Sequence, residues 1–127
     1  RVRSSAASDV YKRQTHTILK GGIYMDEISP IKFFKYYQKN INFKIIDIRD
    51  TRDFELYHIV DSINIPYSIL IEKHHLFLNC NHTYFIICKN GNTSYHACKF
   101  LSRLGYHVIN VIGGIDHFMG AVVTKYA

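Results

Sequence analysis

The sequence predicts an α/β domain built on a mostly parallel sheet with helices on both faces. Two observations carry this. Short apolar runs rich in β-branched residues alternate along the chain with stretches of helical spacing. Those runs are apolar nearly throughout, as strands buried on both faces are. The chain has 127 residues, 47% of them hydrophobic and 20% charged, enough for one domain with a modest core.

The elements follow in order. "SPIKFFKYYQKN" opens with Ser29 as an N-cap and Pro30 at the first helical position. Ile31, Phe34 and Tyr37 recur at helical spacing, and Asn40 can close the helix in a left-handed conformation. "FKIIDI" is a buried strand, "TRDFELYHI" a brief helical stretch, and "SINIP" a second short strand ended by Pro66. "YSILIEKHHLF" is a helix and "TYFIIC" a third strand. "SYHACKFLSRLGY" sets Ala97, Cys98, Leu101 and Leu104 on one helical face, with Gly105 past the end. "HVINVIGG" is a strand stopped by two glycines, and "IDHFMG" a last helical fragment.

The N-terminus has a different character. Residues 4–14, "SSAASDVYKRQ", read like a translated sequencing adapter, so residues 1–14 are expected to be a non-native scar. "KGGIYM" can encode a ribosome-binding sequence ahead of Met25. Residues 15–24 are therefore expected to be a translated leader or a disordered extension, and 25–127 the domain. This changes the charge argument. The formal charge is +6, but residues 1–24 hold five of the sixteen basic residues and one of the ten acidic ones, which leaves +2 on residues 25–127. The electrostatic case for a nucleic-acid partner mostly disappears. "KFFKYYQK" interleaves lysines with aromatics but is more simply an amphipathic helix. No apolar run is long enough for a transmembrane helix, so no membrane partner is expected. Three cysteines without a CxxC pair argue against a disulfide framework and for a reducing, cytoplasmic setting. His74, His75, Cys80 and His82 lack the spacing of a zinc site, so no metal is expected.

The chemistry concentrates at Cys88. It ends an apolar strand, where ligands of parallel α/β sheets bind. "KNGNTS" follows, with Gly91 free to take a positive φ. Successive N–H groups of such a loop can point inward and favour an anion, and the helix opening near Thr93 or Ser94 adds its positive end. Together they favour a thiolate, which is the nucleophilic form. Cys98 sits on an apolar helical face and reads as core; Cys80, in "NCNHT", reads as incidental.

Three pieces, in order, resemble the rhodanese-like (sulfurtransferase) family: "IIDIRDTRDFELYHIVDSINIP", "FIICKNGNTSYHACKFLSRLGY" and "VINVIGGIDHF". The resemblance runs from about Ile28 to Phe118. It implies a three-layer fold around a five-stranded sheet, and no cofactor. It also implies sulfane sulfur transfer from thiosulfate or a persulfide to a thiol, protein cysteine or cyanide, through a persulfide on Cys88. The residues Lys89, Asn90, Gly91, Asn92, Thr93 and Ser94 would supply the amide cradle. Asp47, Arg49 and His58 match the family's Asp-x-Arg and Gly-His-Ile residues as structural supports. Thr93 stands where the family loop often has arginine, Tyr57 replaces the glycine before His58, Asp61-Ser62 replaces Gly-Ala, and His117-Phe118 stands where tryptophan is common. With no arginine at 93 or 94, the phosphatase chemistry of a related fold is not expected. The alternative reading is a catalytically weak sulfur-carrier or protein-interaction module. The abundance of Ile, Asn, Lys and Tyr suggests an AT-rich bacterial genome.

Overall fold

A computed structural model describes residues 15–18, 24–39 and 44–125. The expectation for residues 1–14 lies outside them, as does Asn40. The strands are β1 (Thr15–Ile18), β2 (Tyr24–Ile28), β3 (Lys44–Asp47), β4 (Tyr57–Ile59), β5 (Ile63–Asn64), β6 (Thr83–Ile87), β7 (His107–Val111) and β8 (Val122–Thr124). The helices are α1 (Pro30–Gln38), α2 (Thr51–Leu56), α3 (Tyr67–Phe77) and α4 (Asn92–Arg103), with a 3₁₀ turn at Gly114–His117. One sheet runs β1-β2-β7-β6-β3-β5. Its five strands from β2 to β5 are parallel, and β1 is antiparallel to β2 at the edge. β4 and β8 pair separately.

The helices cover both faces, as the sequence predicts. On one face Leu70 of α3 and Ala97, Cys98 and Leu101 of α4 pack against Met25, Ile46, Tyr84, Ile86 and Val108. On the other, Phe33 of α1, Ile59 and Ile115 pack against Ile28, Ile45, Phe85, Ile87 and Val111. Alternation along each strand sends neighbours to opposite layers, which is why the strands read as unbroken apolar runs.

Several local expectations need adjustment. α1 starts as expected, with Ser29 Oγ accepting from Lys32 N at 3.2 Å. Its anchor, however, is Phe33, edge-on to Phe85 at 5.0 Å between centroids, while Ile31 is exposed. Aromatic packing, rather than the 31/34/37 spacing, sets the buried face. The stretch 51–59 is helical only to Leu56, because residues 57–59 pair with β8. Leu104 is exposed, beyond the buried part of α4. β2 was not evident in the sequence, because Asp26 and Glu27 separate its two buried residues, Met25 and Ile28. Within the stretch 15–24, Thr15–Ile18 form β1 and Tyr24 opens β2. No helix among the described residues is long and apolar enough to cross a membrane.

All five parallel strands lie within residues 24–111. Deleting residues 1–24 removes β1 and the first residue of β2. Thermal unfolding of the shortened chain should stay within about 4 °C of the full chain, the shift that roughly 1 kcal/mol produces in a small domain. A larger loss would show that β1 is needed to protect the β2 edge.

Candidate active site

β6 runs apolar from Tyr84 to Ile87 and delivers Cys88 to the carboxyl end of the sheet, between β3 and β7. The chain then turns back on itself, and α4 begins at Asn92, one or two residues earlier than the sequence suggests. Gly91 makes the turn with φ of 94°.

Cys88 is buried, and its sulfur sits inside this turn. Gly91 N–H and Ser94 N–H donate to Sγ at 3.2 and 3.3 Å. Thus two of the six expected cradle residues place their amides on the sulfur. Asn92 N–H is held instead by Asn90 Oδ1 at 3.1 Å. Lys89, Asn90 and Thr93 are exposed. Two convergent N–H groups at the opening of a twelve-residue helix can hold an anionic sulfur.

A buried polar chain that sequence reading missed continues inward. Cys88 Sγ lies 3.3 Å from Ser94 Oγ, which donates to Asn110 Oδ1 at 2.5 Å. Asn110 Nδ2 donates to Glu27 Oε2 at 3.1 Å. Asn110 is a buried polar residue within the apolar run of β7, and that incongruity was the available signal.

The second missed contact is the floor of the loop. Ile115 N–H donates to Cys88 O at 2.9 Å and Asp116 N–H to Lys89 O at 3.0 Å. Above the backbone, Lys89 Nζ meets Asp116 Oδ1 and Oδ2 at 3.0 and 3.1 Å. The approach is tight. A Cβ on Gly114 would lie 2.4 Å from Cys88 O and 2.5 Å from Lys89 O, and one on Gly91 would lie 2.8 Å from Gly113 N. The sequence offered the Gly-Gly pair as a strand stop; its closer task is to let two backbones touch.

Two of the three expected supports, Asp47 and Arg49, lie beside the strand and loop that carry Cys88, and His58 lies on β4. Arg49 grips the buried Asp47 carboxylate, with Nη2–Oδ2 at 2.8 Å and Nε on both oxygens at 3.1 Å. Nη2 also donates to Tyr57 O at 2.6 Å, and the guanidinium lies over the Tyr57 ring at 5.0 Å. Ile48 N–H donates to Ile87 O, which ties this segment to the strand that carries Cys88. His58 Nδ1 is 2.8 Å from Phe54 O, and its ring stacks on Phe54 at 3.8 Å.

The other thiols differ. Cys98 is fully buried in α4; burial, and then the charge of Glu27, push its thiol well above the ordinary range, so it stays protonated. Cys80 is exposed. Among the described residues no group of three or more His, Cys, Asp or Glu could hold a metal ion. His74 is paired with the Tyr106 hydroxyl at 2.8 Å, and His82 stacks on Tyr84.

The sequence profile of the family described as Rhodanese-like domain matches residues 33–121. The chain belongs to the rhodanese-like domain family. It is 30% identical over 113 residues to the putative sulfur carrier protein YrkF of Bacillus subtilis (strain 168), covering 83% of this chain and 60% of that protein. Similarity to the putative sulfurtransferase YtwF of the same organism is 26% over 99 residues, covering 78% of this chain and 95% of YtwF. Among solved structures, a rhodanese-related protein from Thermoplasma volcanium superposes with a TM-score of 0.69 at 32% identity, covering 76% of this chain and 96% of the other. The three-layer rhodanese-like fold expected from the three sequence pieces is therefore the observed one.

The close approach at Gly114 gives a stability prediction. Gly114 and Gly105 both hold positive φ, of 59° and 94°, but nothing lies within 4 Å of a Cβ on Gly105. Gly105→Ala should lose about 1 kcal/mol, the cost of a left-handed alanine. Gly114→Ala should lose at least about twice that, since its Cβ meets backbone that cannot rotate away. Equal losses in denaturant melts would mean that the loop floor is not tightly fitted.

Proposed function

We propose that this domain is a sulfurtransferase that moves sulfane sulfur from thiosulfate or a persulfide donor to a thiol, protein cysteine or cyanide, through a persulfide on Cys88. One observation carries the reading: the Cys88 sulfur lies at a strand end with the Gly91 and Ser94 N–H groups directed at it. In the first half-reaction the thiolate attacks the outer sulfur of the donor. A bond forms between Sγ and that sulfur while the donor's own S–S bond breaks, and sulfite or a thiolate leaves. The loop amides then face the anionic persulfide. In the second half-reaction the acceptor's nucleophilic atom attacks the outer sulfur, and Cys88 departs as the thiolate. The names of the relatives, a putative sulfur carrier and a putative sulfurtransferase, support the same chemistry. The three free thiols suit a reducing, cytoplasmic setting.

A second reading, a carrier or interaction module with feeble thiosulfate turnover, is favoured by one observation. The neutral, exposed Thr93 occupies the place where the family often sets an arginine on the donor. The carrier form of this reading also requires sulfur on Cys88; the interaction-module form does not.

Intact mass after incubation with thiosulfate or a small persulfide is the test. Native protein, Cys80→Ser and Cys98→Ser should each gain the mass of one sulfur atom, and Cys88→Ser should gain none at this site. Loading of Cys88→Ser to the native extent would overturn the proposal.

A further inference from the structure

Two described cations of this neighbourhood, Lys89 and Arg49, are each engaged by a carboxylate. Lys89 is the one basic residue among residues 88–94, and its ammonium is held by both carboxylate oxygens of Asp116. The Asp116 hydrogen bond, and then its charge, raise the Lys89 pKa, so the ammonium keeps its proton near neutral pH. The pairing is built in rather than a chance meeting of two long side chains. Asp116 N–H donates to Lys89 O, and Ile115 N–H to Cys88 O, so the residue that binds the ammonium is docked by its own backbone on the residue that carries it. Gly114 permits that docking, because any Cβ there would strike the Cys88 and Lys89 carbonyls. The next cation, Arg49, lies close enough to Lys89 to oppose its charge, yet it is buried on Asp47 and the Tyr57 carbonyl. The third position, Thr93, is neutral.

These contacts have a consequence for the donor. Thiosulfate is a dianion, and its leaving group, sulfite, keeps both charges. A site that catalyses its cleavage well must offer positive charge at the loop mouth. Here the two charged side chains, Lys89 and Arg49, are each matched by a carboxylate, which leaves the neutral loop amides to meet the donor. A persulfide R–S–SH asks for less. The Cys88 thiolate attacks its outer sulfur, the Sγ–S bond forms, the donor's S–S bond breaks, and R–S⁻ leaves. The sulfane proton can pass to the departing thiolate, giving R–SH and an anionic persulfide that the Gly91 and Ser94 amides face.

We propose that Asp116 is a specificity-determining residue: by pairing with Lys89 it cancels the loop's positive charge and turns the site from small dianionic donors toward persulfide donors of low charge. This rests on the sulfurtransferase reading of Cys88. Asp116 does not touch the reacting atoms. It acts through Lys89, and its effect is electrostatic.

The test compares thiosulfate, a dianion, with a persulfide donor of lower charge, the hydropersulfide of 2-mercaptoethanol, for native protein and Asp116→Asn. Asparagine keeps the backbone contact and a hydrogen-bonding side chain but removes the charge. The ratio of kcat/KM for thiosulfate to that for the less charged persulfide should rise about threefold at low ionic strength, mainly through a lower KM for thiosulfate. The rise should shrink as salt is added. Adding Lys89→Gln to Asp116→Asn should abolish it, since the freed ammonium is its source. The proposal is overturned if Asp116→Asn changes both donors equally, if the ratio stays flat, or if the gain survives high salt or the loss of Lys89. The less charged donor reports folding and intrinsic reactivity in every variant. Failure of Cys88 to take sulfur from either donor would instead defeat the sulfurtransferase reading itself.

Discussion

The site depends on one close approach of backbone to backbone. Cys88 and Lys89 turn their carbonyls toward the 3₁₀ turn, which answers with the N–H groups of Ile115 and Asp116. With those carbonyls held, the start of the loop is fixed, and further along it the Gly91 and Ser94 N–H groups meet the sulfur. A peptide unit is planar, so holding the Cys88 and Lys89 carbonyls fixes the Lys89 and Asn90 peptide planes, which bring the chain up to Gly91. The Gly-Gly pair therefore acts on Cys88 indirectly: it brings up the turn that sets the loop, and the loop presents the Gly91 and Ser94 amides. A polar cradle of this kind is effective because little reorganisation is left when charge arrives.

The rest of the fold supplies rigidity around that contact. β6 lies between β3 and β7, so the strand that carries Cys88 is braced on both sides. The Asp47–Arg49 pair locks the end of β3, and Asn64 Nδ2 donates to the carbonyls of Asp47 and Arg49, which ties β5 to the same corner. A buried ion pair adds little net stability, because desolvating both charges offsets their attraction, but it fixes geometry. On the other side the chain Glu27–Asn110–Ser94 crosses from β2 through β7 to the helix start. Left unpaired, Asn110 or Ser94 would be costly at these depths; paired, they hold the Ser94 hydroxyl beside the sulfur.

Much of this was legible in the sequence. Strands buried on both faces announce themselves as apolar runs, and β3, β6 and β7 lie within "FKIIDI", "TYFIIC" and "HVINVIGG". The strand, glycine loop and helix around Cys88 were legible because each obeys a local rule. What stayed hidden depends on partners distant in sequence. β2 is half acidic, and only pairing with β7 reveals it as a strand. β4 looked helical until β8 came beside it. The role of Asp116 needs Lys89, 27 residues earlier, and that of Asn110 needs Glu27, 83 residues earlier. Asp61 shows the opposite case. It takes a φ of 71° where the resemblance led to an expected glycine, so the backbone demand persists although the residue has changed.

The central claim is that two amides, those of Gly91 and Ser94, hold the reacting sulfur. Amide-proton NMR of the reduced protein and of the protein loaded with one sulfur on Cys88 tests it most directly. The account predicts that the Gly91 and Ser94 resonances move most on loading, while Asn92, whose N–H is held by Asn90, moves little. Gly91 and Ser94 resonances that stay in place while the sulfur is bound would contradict it.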